Sequence, residues 1–98
     1  MATPVVVTAQ AWRDLSEIID YISKDNPEAA KRFGEHLFEA AISLGQAPKL
    51  GCRAKGFLDV RMTVFGRYLI FYKIDSSQNR LLILRFWHSA RDRRKLKL

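Results

Sequence analysis

The stretch AQAWRDLSEIIDYIS at residues 9–23, followed by KDNP at 24–27 and EAAKRFGEHLFEAAISL at 28–44, decides the fold. Trp12, Leu15, Ile18, Ile19 and Ile22 recur at helical spacing, with Arg13, Asp14, Glu17 and Asp20 between them. The pattern predicts an amphipathic helix over Ala9–Ser23, with Thr8 as a cap whose hydroxyl takes an orphan backbone N–H. Lys24-Asp25-Asn26-Pro27 breaks it, because proline pushes the preceding residue out of the α region and is itself at ease in a first helical turn. A second apolar stripe (Ala30, Phe33, Leu37, Ala41, Leu44) runs to about Leu44 before Gly45 and Pro48 end it. So short a break makes the two helices antiparallel neighbours, a helical hairpin.

Upstream, Val5-Val6-Val7 is a β-branched run that reads as an edge or entry strand. Downstream, Pro48–Leu58 holds Lys49, Arg53 and Lys55 among glycines and reads as a basic loop. Three strands follow: Asp59–Phe65, Tyr68–Ile74 after a Gly66-Arg67 turn, and Leu81–Trp87 after a hairpin loop at 75–79. After His88-Ser89 the tail over 90–95 is basic and reads as a short helix or as disordered. The order is β-α-α-β-β-β, an α+β architecture with the hairpin on a mainly antiparallel sheet. Residues 1–98 are expected to form a single domain, since so short a chain buries only about 60–65% of its unfolded surface and holds one core.

Charge is segregated. The chain carries +7, and its first 50 residues hold five bases against seven acids, or −2, which leaves +9 on twelve bases and three acids beyond. That excess points to an anionic partner, nucleic acid or an acidic protein. Cys52 stands alone, so a disulfide framework or a cysteine zinc site within one chain is ruled out. No HxxxH pair and no carboxylate cluster in the second half offers a metal site, so neither metal nor cofactor is expected. No apolar run approaches the ~18 residues of a membrane span, nor does the N-terminus read as a leader; a soluble cytoplasmic protein is the expectation.

Strand parity, with Val60, Met62 and Val64 taken to face the helices, places Arg61 on the opposite side of the sheet. On the last strand the same parity groups Leu82, Leu84 and Phe86, and sets Arg85 opposite with Leu81, Ile83 and Trp87. Arg61 and Arg85, with Arg53, Lys55 and Arg67, read as an anion-binding surface suited to carboxylate or phosphate, or as a solvated sheet face. His88 is a general acid–base candidate for phosphodiester cleavage, or a strand-end residue held by a backbone hydrogen bond. His36 reads as surface, and Cys52 lacks an evident base. Trp87, Phe86 and Tyr68 among arginines suit base stacking and core packing equally.

AWRDLSEIIDYI at 11–22, Asn26-Pro27 and Ala29–Phe33 together resemble the helical hairpin of the ParE/RelE superfamily of toxins. The later pieces agree in order: Leu44, Pro48 and Gly51, then Asp59-Val60-Arg61, Arg67-Tyr68, Phe71–Ile74 and Leu84–Asp92. The resemblance covers nearly the whole chain. It implies the RelE/ParE-like fold and the toxin of a type II toxin–antitoxin (plasmid stabilisation) module, a growth inhibitor held inactive by an acidic cognate antitoxin whose C-terminal segment wraps it. It implies a hetero-oligomer with that antitoxin, and no membrane partner. RelE-like members are ribosome-dependent mRNA endonucleases that use basic residues without metal, whereas ParE-like members poison DNA gyrase. The ending Arg85…His88…Arg91-Asp92 is similar to the R-x-x-H-x-x-R-D close of ParE-type sequences, and no Glu follows Glu39 to serve as a carboxylate base. The resemblance therefore favours a gyrase inhibitor, with Arg53, Lys55, Arg61, Arg67, Arg85, His88 and Arg91 binding antitoxin or target. The alternative is a nuclease acting on ribosome-bound mRNA, with Arg61, Arg85 and His88 as its catalytic set.

Overall fold

In a computed structural model, which describes residues 2–98, the elements run β1 (Val5–Val7), α1 (Ala9–Ser23), α2 (Pro27–Ser43), β2 (Cys52–Arg53), β3 (Val60–Phe65), β4 (Tyr68–Asp75), β5 (Arg80–His88) and a 3₁₀ turn (Arg93–Lys95). Both helices start where capping chemistry puts them. The Thr8 side chain accepts from Ala11 N at 3.3 Å while its hydroxyl donates to the Ile83 carbonyl at 2.7 Å, which ties the start of α1 to β5. Asn26 accepts from Ala29 N at 3.1 Å with Pro27 next to it. Gly34 lets the hairpin close: a Cβ there would lie 2.6 Å from Ile19 Cδ1.

The sheet has the order β1-β5-β4-β3-β2, antiparallel except that β1 runs parallel to β5 with Val5 opposite Leu81. The expected architecture stands, with one addition. The basic loop contains a two-residue strand, β2, because Cys52 and Arg53 pair with Met62 and Arg61.

The faces of the sheet depart from simple alternation, for two reasons. First, both faces are covered. Ile70, Tyr72, Leu81, Ile83 and Phe86 pack with Leu15, Ile18, Leu37 and Ala41 of the helices. A second cluster on the far face joins Ala54, Val60, Leu69, Phe71, Trp87 and Leu96, with Phe57, Met62 and Leu84 against it. Val60 and Met62 thus face away from the hairpin, and Arg61, opposite Tyr72, lies on the helix-side face. This inverts the expected parity of β3: the loop and tail supply a second apolar lining, so the apolar side of β3 need not meet the helices. Second, β5 carries a bulge. Phe71 pairs with Arg85 but Tyr72 with Ile83, leaving Leu84 as the extra residue. Leu81 and Ile83 therefore share the helix side with Phe86, whereas Leu84, Arg85 and Trp87 turn to the far face. The expected grouping of Leu84 with Phe86, and of Arg85 with Leu81 and Ile83, is corrected accordingly.

The stripe on α1 is also rotated from its expected centre. Ala11, Asp14, Leu15 and Ile18 are buried, while Trp12 is half-exposed and stacks on Phe38 with ring centroids 5.4 Å apart.

Candidate functional site

Beyond Ile83 no strand among the described residues lies beside the outer edge of β5, because β1 ends at Val7 and the chain turns into α1. A carboxylate takes the strand's place. Asp14, 4% exposed, accepts from the Phe86 backbone N–H at 3.1 Å and from both Arg85 Nε at 2.7 Å and Arg85 Nη2 at 3.1 Å. Gln10 adds a fourth donor at 3.0 Å. The guanidinium of Arg85 is completed by the Lys97 carbonyl at 3.0 Å and sits 5.1 Å from the Trp87 ring centroid. Arg91 packs closer on the same ring, at 3.9 Å, and its carbonyl accepts from Trp87 Nε1 at 3.2 Å. Arg85 is thus held between α1 and the tail, with one donor from each of its three nitrogens engaged inside the molecule.

Asp14 was not singled out by its sequence. The available signal is its place on α1: three residues after Ala11 and four before Ile18, it flanks the core-facing stripe, where a carboxylate requires a cation or backbone donors.

Three of the residues expected from the sequence to bind a partner share one groove. Arg67, His88 and Arg91 line a depression of about 710 Å³ between the second half of α1 and the adjoining ends of β4 and β5. Ile18, Ile22, Phe33 and Phe86 supply apolar lining, and Glu17 and Tyr21 stand along the α1 side. His88 pairs with Tyr68 across the strands and meets its ring edge-on at 5.0 Å. Nδ1 of His88 accepts from Ala90 N at 3.0 Å, so a neutral ring carries its hydrogen on Nε2. Burial, with the nearby Tyr21 hydroxyl second, pushes the Tyr68 hydroxyl above its ordinary pKa of 10.0. The groove can hold an apolar side chain with an anion beside its guanidinium groups.

Arg53 and Arg61 sit elsewhere. They are directly opposite each other on β2 and β3, and line a cleft of about 580 Å³ that reaches Lys73 and the β4–β5 turn. Arg61 Nη1 donates to the Gly51 carbonyl at 2.7 Å, beside Tyr72, whose hydroxyl donates to Pro48 O and accepts from Gly51 N, both at 2.8 Å. Lys55 stands exposed on the same loop. Cys52 is exposed on β2 and His36 on α2.

Arg61, Arg85 and His88 do not converge. His88 lies opposite Tyr68 and Arg61 opposite Tyr72, four residues apart on β4, or roughly 13 Å at ~3.3 Å per residue. Arg85 belongs to the other face. Among the described residues, no helix is long and apolar enough to cross a membrane.

Comparison with known proteins adds family context. The family model described as "ParE toxin of type II toxin-antitoxin system, parDE" matches residues 5–93. Toxin RelE1 of Caulobacter vibrioides is 32% identical over 96 residues, covering 95% of this chain and all of the relative. Toxin RelE2 of the same organism is 37% identical over 87 residues, covering 89% of this chain and 96% of the relative. Two solved structures share the fold. A chain from the chromosomal ParDE system of P. aeruginosa superposes with a TM-score of 0.77 at 22% identity, covering 89% of this chain and 96% of that one. A chain of the RelBE2 toxin–antitoxin complex of Mycobacterium tuberculosis gives 0.67 at 26% identity, with 90% and 99% covered.

Proposed function

The chain belongs to the ParE toxin family of type II toxin–antitoxin systems, and from that premise we propose that it arrests growth by binding DNA gyrase and is neutralised by an acidic cognate antitoxin. One observation carries the choice of target: the residues that would have to act together in a nuclease are dispersed. A general acid–base group and the cations that stabilise a pentacovalent phosphate must lie within hydrogen-bond reach of one substrate group. Here Arg85 is bonded to Asp14, and Arg61 lies strands away from His88. A contact inhibitor has no such requirement.

The groove beside α1 is suited to the antitoxin. Its apolar lining takes the apolar side chains of a docked segment, and Arg67 and Arg91 meet that segment's carboxylates. Arg85 contributes by holding the strand rather than by meeting the partner.

A supercoiling assay tests the reading. Purified toxin blocks gyrase and leaves linearised plasmid; no effect at micromolar toxin rejects the proposal. A second reading rests on His88, whose Nε2 is not engaged by a protein partner among the described residues and which shares its groove with Arg67 and Arg91. The names of the two Caulobacter relatives favour it as well. Under that reading a translating extract shows mRNA cleavage that His88→Ala abolishes.

A further inference from the structure

The cleft at the β2 edge is unlike the groove in shape and chemistry. Its lip is Leu58, 88% exposed, and Leu50 precedes the same edge at 69% exposed. An unbacked leucine is ordinary on a slack loop, but this loop is built. Ala54 is buried in the second core and its N–H donates to the Val60 carbonyl at 2.8 Å. Phe57 meets Phe71 edge-on at 6.5 Å, and its N–H reaches the Ala54 carbonyl at 3.3 Å. Asp59 then takes a left-handed backbone, φ +58°, a conformation that costs a non-glycine residue. Ordered backbone on both sides holds Leu58 outward.

Charge adds a second, independent observation. Arg53 directly opposite Arg61 is a like-charged cross-strand pair, an arrangement that disfavours the sheet unless an anion sits between. Among the described residues neither is in an ion pair, nor is Lys73, which lines the same cleft. Asp59 and Asp75 also line it, and Asp75 is paired with Arg80. Those two carboxylates repel a continuous phosphate backbone, whereas a protein surface can place one carboxylate at the arginines and one apolar pocket at Leu58. A projecting lip fits into another protein's hollow; a wrapping segment needs the larger, apolar-lined groove beside α1.

We propose that the Arg53–Arg61 cleft, with Leu58 as its anchor, is the surface by which this toxin seizes its protein target, at a site bearing an acidic side chain beside an apolar pocket. The identification of that target as gyrase rests on the reading given above. The test uses Leu58→Asp and Arg53→Glu in the full chain, since both positions are exposed and the fold is checked by urea unfolding. Both variants are expected to lose growth arrest on expression and to raise the toxin concentration that half-inhibits gyrase on the order of 30-fold, the scale of a lost interface anchor. Growth arrest at the wild-type level in either folded variant overturns the proposal. So does wild-type binding to a short duplex without gyrase that Arg53→Glu removes and Leu58→Asp spares, which makes the cleft a nucleic-acid site. If the wild type arrests growth but leaves gyrase untouched, the gyrase reading alone fails, and the cleft stands or falls on growth arrest in the two variants.

Discussion

Replacing Asp14 with alanine removes a carboxylate that four donors converge on: two from Arg85, one from the Phe86 backbone and one from Gln10. What remains is a guanidinium whose side chain is only 11% exposed, kept by the Lys97 carbonyl alone, and a buried N–H that has lost its acceptor. Breaking a buried pair in this way costs about 3–5 kcal/mol, against a total of roughly 5–15 kcal/mol for a domain. At about 4–8 °C per kcal/mol for a chain of this size, Tm falls by at least ~12 °C. The double variant Asp14→Leu with Arg85→Met removes the stranded charge and leaves the buried Phe86 N–H unpaired, a residual cost of about 1–3 kcal/mol, while the less buried Gln10 amide and Lys97 carbonyl also lose a partner. Urea unfolding followed by the fluorescence of Trp12 and Trp87 measures both. The reasoning fails if Asp14→Ala costs under about 1 kcal/mol, or if the double variant is no more stable than the single one; either result would mean that Arg85 is not held by Asp14.

Other consequences are open to measurement. Because Arg67 and Arg91 are placed to meet carboxylates, the affinity of the antitoxin complex is expected to fall as salt rises; an affinity indifferent to salt would argue for a purely apolar interface. Leu96 is 5% exposed against the Trp87 cluster, so Leu96→Ala should cost about 2–3 kcal/mol by urea unfolding, and a neutral result would mean the tail does not close the second core. The Ser77 hydroxyl, then the Arg80 guanidinium, hold the Asp75 carboxyl below its ordinary 3.8. A carboxyl whose folded pKa is depressed gives stability that is present above the unfolded value and lost as pH falls through the folded one, hence below about pH 4. Ser77→Ala should move the Asp75 titration upward in an NMR pH series; an unmoved titration would remove Ser77 as the cause.

The helical hairpin was legible because its signals are local: Thr8 and Asn26-Pro27 mark the starts, and apolar spacing marks the buried side. The three long strands and their succession along the chain were legible for the same reason. The faces were not. The extra residue at Leu84 leaves no mark in composition, yet it moves Leu84 and Arg85 to one side of the sheet. The second core was hidden because Ala54 and Leu96, far apart in sequence, close it from a loop and a tail. Arg85 read as a free cation because its partner is 71 residues away, on an element whose charges all resembled a solvated face. Arg67, His88 and Arg91 stand out in the sequence as candidate partner-binding residues, but the groove that joins them needs α1, strand pairing and the Gly66 turn at once.

The central claim, that this member of the ParE family acts by contact on gyrase, is tested most directly by adding purified toxin to gyrase and supercoiled plasmid, with a translating extract in parallel. The claim calls for lost supercoiling and accumulated linear plasmid, with mRNA in the extract intact. Cleaved mRNA alongside fully active gyrase would contradict it.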